Sequence, residues 1–229
     1  MSYSQHKFLE AIRMKSSDPK TSAAMLRSYC RGLNELKTGD IVEFGRHRLT
    51  EMIKPISDGA AERPITWEII DKQEDRLLLL SEYILDWEMF DEGGEEWENS
   101  ELRDLLIYDY CIDWFSEAER SLLCIRPDRV FLLSVEQAKA YFGDSGRGRA
   151  EMLYAEYEAT ETGEGDLAPC IEKISCEWWL RTPGTDVGTA FVAIDGEIVE
   201  EGYDSDADEF GVRPAIWLDL KKLREMSGE

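Results

Sequence analysis

Two short clusters hold the residue types best suited to gripping a ligand: Trp178-Trp179-Leu180-Arg181 and Gly211-Val212-Arg213-Pro214. On an extended strand successive side chains point to opposite faces. Trp178 and Leu180 then share one face, and Trp179 and Arg181 share the other. Arg213 shares its face with Ala215 and Trp217. If the two strands are neighbours, Arg181 and Arg213 converge. Paired guanidiniums clamp a carboxylate or phosphate through forked hydrogen bonds. The candidate ligand-binding residues are therefore Trp179, Arg181, Arg213 and Trp217. The competing expectation is structural: each arginine, once buried, pairs with one of the chain's many carboxylates.

A second candidate is the loop Asp204-Ser205-Asp206-Ala207-Asp208-Glu209. Its alternating carboxylates, Asp204, Asp206 and Asp208, are hard oxygen donors of the kind calcium takes. The glycine and the downstream bidentate Glu of an EF-hand loop are missing, so a solvated acidic turn competes with that reading. A third candidate is the acidic, aromatic stretch from Trp87 to Trp97. Its rings Trp87, Phe90 and Trp97 either form an interaction surface or fold inward.

Other chemistry is poorly served. His6 and His47 are the only histidines. Without paired cysteines they make a zinc enzyme or a Ser-His or Cys-His nucleophile a poor fit. Cys30, Cys111, Cys124, Cys170 and Cys176 contain no C-x-x-C pair, and each reads as a reduced structural thiol. There is no Walker A loop and no Gly-x-Gly-x-x-Gly. Non-catalytic recognition of a protein or small ligand is expected ahead of catalysis. An enzyme built from this chain would use carboxylates together with Arg181 and Arg213.

These candidates need elements to position them. Residues 1–36 read as a helical pair, with Leu26, Tyr29, Cys30 and Leu33 forming an amphipathic stripe. The expected units are a helical extension over residues 1–37, a main domain over 38–220 and a short tail over 221–229. Ile41 to Gly45 reads as a short strand, and Ile65 to Ile70 and Arg76 to Ser81 as a hairpin. Ser100 can cap a helix carrying Leu102, Leu105 and Leu106. Ser116 to Glu119 and Ser134 to Gln137 are both capping boxes. Val130 to Leu133 reads as a buried strand, and residues 143–169 as polar loop. Glu177 to Arg181, Ala190 to Val199 around an Asp195-Gly196 turn, and Val212 to Asp219 complete the strand candidates. Helices in the middle and hairpin strands at the end indicate α+β with an antiparallel sheet.

Composition sets the surroundings. The chain has 229 residues, 43% of them hydrophobic, enough for a sizeable core. It carries 49 acidic against 26 basic residues, a net charge of −23. Such a chain repels phosphate backbones and anionic bilayers, so neither nucleic acid nor membrane is an expected partner. The odd cysteine count, the lack of an apolar leader and the shortness of apolar runs such as Leu77 to Leu80 point to a cytoplasmic protein. Residues 1–36 are the expected element for any homo-oligomer.

Several motifs recur in a fixed order. They are Gly39-Asp40 with Phe44-Gly45, Pro64 to Ile70, Leu79 to Glu82, Trp97 to Arg103, Phe115 to Glu119, Phe131 to Ser134, Trp178 to Gly184, and Gly211 to Ala215. In this the chain resembles an uncharacterised bacterial domain family. After Leu102-Arg103 that family tends to show Trp-Leu-Asn and an aromatic, where this chain has Leu105-Leu106-Ile107 and then Tyr110. The C-terminal end resembles the C-type-lectin-like fold of sugar-binding lectins and formylglycine-generating enzymes. The resemblance implies a C-type-lectin-like antiparallel sheet with flanking helices, and it carries no agreed activity.

Overall fold

Leu77, Leu78, Leu79 and Leu80 have no solvent exposure at all, which places their strand in the interior with both faces covered. In the computed structural model, which describes residues 36–51, 62–94, 96–143, 147–156 and 170–227, that strand lies inside a four-stranded sheet. The sheet comprises β1 (Ile41–Arg48), β3 (Glu62–Lys72), β4 (Arg76–Ser81) and β12 (Ala215–Asp219), in the order β1-β3-β4-β12 and antiparallel throughout. The expected hairpin is present, with Trp67 opposite Ser81 and Ile69 opposite Leu79. The N-terminal helical pair and its assembly role fall almost wholly outside the described residues.

A five-stranded sheet runs β10-β9-β8-β11-β5. Its members are β5 (Asp86–Trp87), β8 (Trp178–Pro183), β9 (Thr189–Val192), β10 (Ile198–Tyr203) and β11 (Gly211–Val212). A third sheet holds β2 (Thr50–Glu51), β6 (Ala150–Glu156) and β7 (Cys170–Cys176). The chain is thus α+β, as its patterning indicates. No helix among the described residues is long and apolar enough to cross a membrane.

Three expectations change. Val212 to Asp219 is not one strand: Pro214 has no N–H to give to a ladder, and the chain switches there from β11 in one sheet to β12 in the other. Val130 to Leu133 is buried but forms only a single bridge, Phe131 to Ala215. Part of the stretch expected to be polar loop is β6, whose buried Ala150 and Met152 alternate with exposed Glu151. Its first residues, Ala, Glu, Met and Leu, are not β-formers, so only pairing with β7 reveals the strand.

Helix α1 spans residues 101–114. It starts as α-helix over Glu101–Asp104, widens to π-helix over Leu105–Tyr110, and returns to α-helix over Cys111–Trp114. Ser100 caps it by accepting from the Arg103 N–H. Helices α2 (Glu117–Leu122) and α3 (Val135–Phe142) both begin with complete capping boxes, at Ser116 and Ser134. Helix α4 (Leu220–Ser227) occupies the expected tail, with Leu220 and Leu223 buried.

Gly45 lets the end of α1 press on β1. It lies at a register shift in β1 with φ of 75°, and a Cβ there would come within 2.5 Å of the Phe115 ring and 2.9 Å of the Trp114 carbonyl oxygen. Gly39, with φ of 91°, has none of the described residues within 4 Å of its Cβ position. Gly45→Ala should therefore lose about 2–4 kcal/mol, combining left-handed strain with overpacking. Gly39→Ala should lose only the strain, about 1–2 kcal/mol. Equal urea midpoints for the two variants would refute the packing role of Gly45.

Candidate functional site

The four residues expected to line a ligand face do not form one. Trp178, Trp179 and Leu180 are all completely buried, because the five-stranded sheet is covered on both sides along β8. Trp179 donates its indole N–H to the Glu88 carbonyl at 2.9 Å and stacks on Phe210 at 4.0 Å between ring centroids. Trp217 is buried beneath the Arg76 guanidinium, 4.2 Å from its ring centroid. Trp178 and Trp179 meet different partners, as alternation implies, but alternation does not say that both faces are covered.

Arg181 and Arg213 have different hydrogen-bond acceptors and different ring neighbours. Arg213 is 3% exposed. Its Nε donates to the Ser81 carbonyl at 3.0 Å and its Nη1 reaches the Gly148 carbonyl at 3.4 Å. The guanidinium lies 5.1 Å from the Trp178 ring and 5.8 Å from Phe142. Arg181, half-buried, donates to the Leu132 carbonyl at 2.8 Å and lies 5.4 Å from Phe131. Burial lowers both from the usual arginine value, Arg213 to about 10, so both stay charged at neutral pH. Carbonyls and aromatic rings hold these cations, in place of the expected direct carboxylate partners.

In the acidic loop, Asp204, Asp206 and Asp208 are exposed, while Ser205 between them is buried and shares a 2.9 Å hydroxyl contact with Thr189. Among the described residues no group of three His, Cys, Asp or Glu side chains is placed to hold a metal ion. In the acidic, aromatic stretch Phe90 and Trp97 fold inward, and Trp87 is half-buried.

What the buried motifs do is fix a neighbouring edge. Gly211 pairs with Trp178 of β8 on one side and Trp87 of β5 on the other. A Cβ at Gly211 would meet Ile84 at 2.7 Å and the Glu177 carbonyl at 2.9 Å, so this close approach needs glycine. Leu85 donates to the Val212 carbonyl, and Glu88 N–H donates to Phe210. Together with the Trp179 indole bond, these hold residues 85–88 extended. Asp86 and Glu88, two apart, then face the same way.

Tyr110 meets them there. Its hydroxyl oxygen lies 2.7 Å from Asp86 Oδ2 and 2.8 Å from Glu88 Oε1. The ring stacks on Trp114 at 4.5 Å and an interplanar angle of 15°. Tyr110 is the last residue of the π-helical segment, a local widening often found at functional sites. The start of the helix is anchored by Arg103, which forks onto Asp128 at 3.0 and 2.9 Å. It is anchored again where Leu102 N–H donates to Phe90.

This half-buried cluster has distinctive electrostatics. Burial pushes the Glu88 carboxyl up, and the Asp86 charge adds to that, against the opposing pull of the Tyr110 bond. Burial and the two carboxylates hold Tyr110 firmly protonated. Burial lowers His47, partly offset by a bond with the Arg48 backbone and by the Asp86 charge. Among the described residues its buried Nδ1 has no hydrogen-bond partner.

The arrangement defines a class: an α+β protein in which a deep Trp-Arg scaffold presents a carboxylate pair at a tyrosine hydroxyl. Residues 125–220 match a domain of unknown function (DUF6273). That stretch includes Trp178, Trp179, Arg181, Arg213 and Trp217, and it excludes Asp86, Glu88 and Tyr110. No curated protein and no solved structure matches the chain.

Two outcomes test this geometry. Arg213→Lys should lose about 2–4 kcal/mol by chemical denaturation, since one ammonium cannot reproduce the forked reach and ring stacking and leaves carbonyls unsatisfied. A loss under about 0.5 kcal/mol, the range of ordinary surface substitutions, would show the guanidinium to be dispensable. Glu88 binds its proton more tightly in the folded than in the unfolded chain. Its contribution is complete below the unfolded value, roughly 4.3, and is lost as pH rises through the raised folded value. Glu88→Gln should therefore melt above the parent at pH 8. At pH 4 the gap should close. A pH-independent difference would sink the assignment of Glu88 as the strained carboxyl.

Proposed function

We propose that the chain is a binding module that recognises a cationic group, an ammonium or guanidinium of a protein or small ligand, at Asp86 and Glu88. The observation that carries this reading is the convergence of two half-buried carboxylates on one phenol. The net charge of −23 supports it, because such a field draws cations toward the surface and raises encounter rates. Arg181, Arg213, Trp179 and Trp217 act in this reading as scaffold. The C-type-lectin-like topology and the cytoplasmic setting belong to the same proposal, with the ligand meeting the sheet at its β5 edge.

A second reading, acid–base catalysis, is favoured by one observation. Glu88 is raised beside a second carboxylate, and acid–base pairs use such a split between protonated and ionised partners. It would appear as turnover of a bound compound and not as retention alone.

The test is calorimetric titration of the full chain with a lysine- and arginine-rich decapeptide and, separately, with N-acetyl-arginine amide. Asp86→Asn and Glu88→Gln should each weaken binding about tenfold, equivalent to ~1.4 kcal/mol. The triple change Asp204→Asn, Asp206→Asn, Asp208→Asn should weaken it less than about threefold, the generic effect of screened surface charge. If the triple variant loses as much as the Asp86 and Glu88 variants, only net charge is being read, and the site is wrong.

A further inference from the structure

A phenol carries one proton. The Tyr110 hydroxyl can donate it to one carboxylate only, yet two carboxylate oxygens lie at 2.7 and 2.8 Å. With both carboxyls ionised, one of those contacts would set lone pair against lone pair at hydrogen-bond distance. The contact becomes favourable when one carboxyl is protonated and donates to the phenol oxygen while the phenol donates to the other. We propose that Asp86, Tyr110 and Glu88 share one extra proton in the free protein, and that a bound cation displaces it. The second half of this inference rests on the cation-binding reading above.

The proton resides on Glu88. Glu88 is the carboxyl that burial and the Asp86 charge push up. Asp86 Oδ1 also accepts the Trp87 N–H at 3.0 Å. Tyr110 and His47 are the titratable groups tied to the cluster from the elements around it. Tyr110 faces it from α1, and the exposed Asp109 and Asp113 lie on the same helix. His47 on β1 feels the Asp86 charge and is itself kept neutral by burial. Arg63 of β3 lies opposite His47, and Glu177 precedes β8. Behind the segment stand the neutral rings of Trp179 and Phe210.

The exchange balances in atoms and charge. In the free protein the two carboxyls and one extra proton carry −1. When an ammonium or guanidinium arrives, the O–H bond on Glu88 breaks and its proton leaves to solvent. An N–H of the cation then donates to the freed oxygen. The site again carries −1, now with the cation in place of the proton. Binding therefore tightens as pH rises, by up to tenfold per pH unit below the Glu88 midpoint, the slope for one linked proton.

The first experiment needs no ligand. Carbon-13 NMR of the full chain, labelled at Asp and Glu carboxyls, follows each midpoint with pH. Glu88 should titrate above the ordinary glutamate range, and Asp86→Asn should bring it back down. Glu88 and Asp86 both titrating in the ordinary range in the parent protein would overturn the shared proton, whatever the variant does. The second experiment repeats the decapeptide calorimetry in buffers of different ionisation enthalpy. Release of close to one proton per site below the Glu88 midpoint is expected. Binding at the site without proton release would overturn the displacement step. A raised Glu88 midpoint without peptide binding at Asp86 and Glu88 would leave the shared proton standing and would overturn the cation reading together with the displacement step.

Discussion

A guanidinium cut off from water has to be satisfied by whatever the chain can bring to it, and Arg213 imposes that demand on much of the fold. It sits where the chain leaves the five-stranded sheet at β11 and enters the four-stranded sheet at β12. Its carbonyl acceptors are Ser81, at the end of β4, and Gly148, just before β6. Its ring neighbours are Trp178 of β8 and Phe142 of α3. Gly148 also accepts the Trp178 indole N–H at 2.9 Å, so one carbonyl ties two of the buried polar groups together. Leaving any of these groups unpaired costs about 1–3 kcal/mol, enough to make the arrangement close to obligatory. Sheets, helix and loop are thereby fixed around one cation.

The fixed interior acts outward through β11. Gly211 brings β8 and β5 within hydrogen-bonding distance on either side, and the Trp179 indole closes the next step at Glu88. A two-residue strand such as β5 has little stability of its own. Its conformation is borrowed from the buried strands beside it. The Trp-Trp and Gly-Val-Arg-Pro clusters therefore support the candidate site from the interior.

Local signals were readable from the residues, and distant ones were not. The capping boxes at Ser116 and Ser134, the β3–β4 hairpin and the bend at Asp195-Gly196 depend on side chains a few positions apart. Trp178 and Arg213 could be recognised as core residues, but their partners could not, because a carbonyl acceptor leaves no trace in residue types. Asp86 and Glu88 carry a faint signal in their i, i+2 spacing beside a tryptophan. Tyr110 carries less, since its hydroxyl reaches them across more than twenty positions and only after α1 widens into a π-helix. The departure at Leu105-Leu106-Ile107 marked the segment as unusual without naming the tyrosine.

The distribution of charge is the least expected property of the molecule. With 49 carboxylates available, each buried arginine had ample opportunity to form an ion pair. Arg213 and Arg181 instead take carbonyls and rings, while Glu82 and Glu68 reach Arg213 only from a distance. Desolvating a carboxylate beside them would add a second burial cost, and carbonyls avoid it. The same economy is absent at Glu88, whose polar partner is a neutral phenol beside another carboxylate. Local conflicts of this kind persist where the surrounding structure enforces them, and they concentrate at functional positions. Here the enforcing structure is the Arg213 and Trp179 network, and the conflict it maintains is the acidic pair that a cation would relieve.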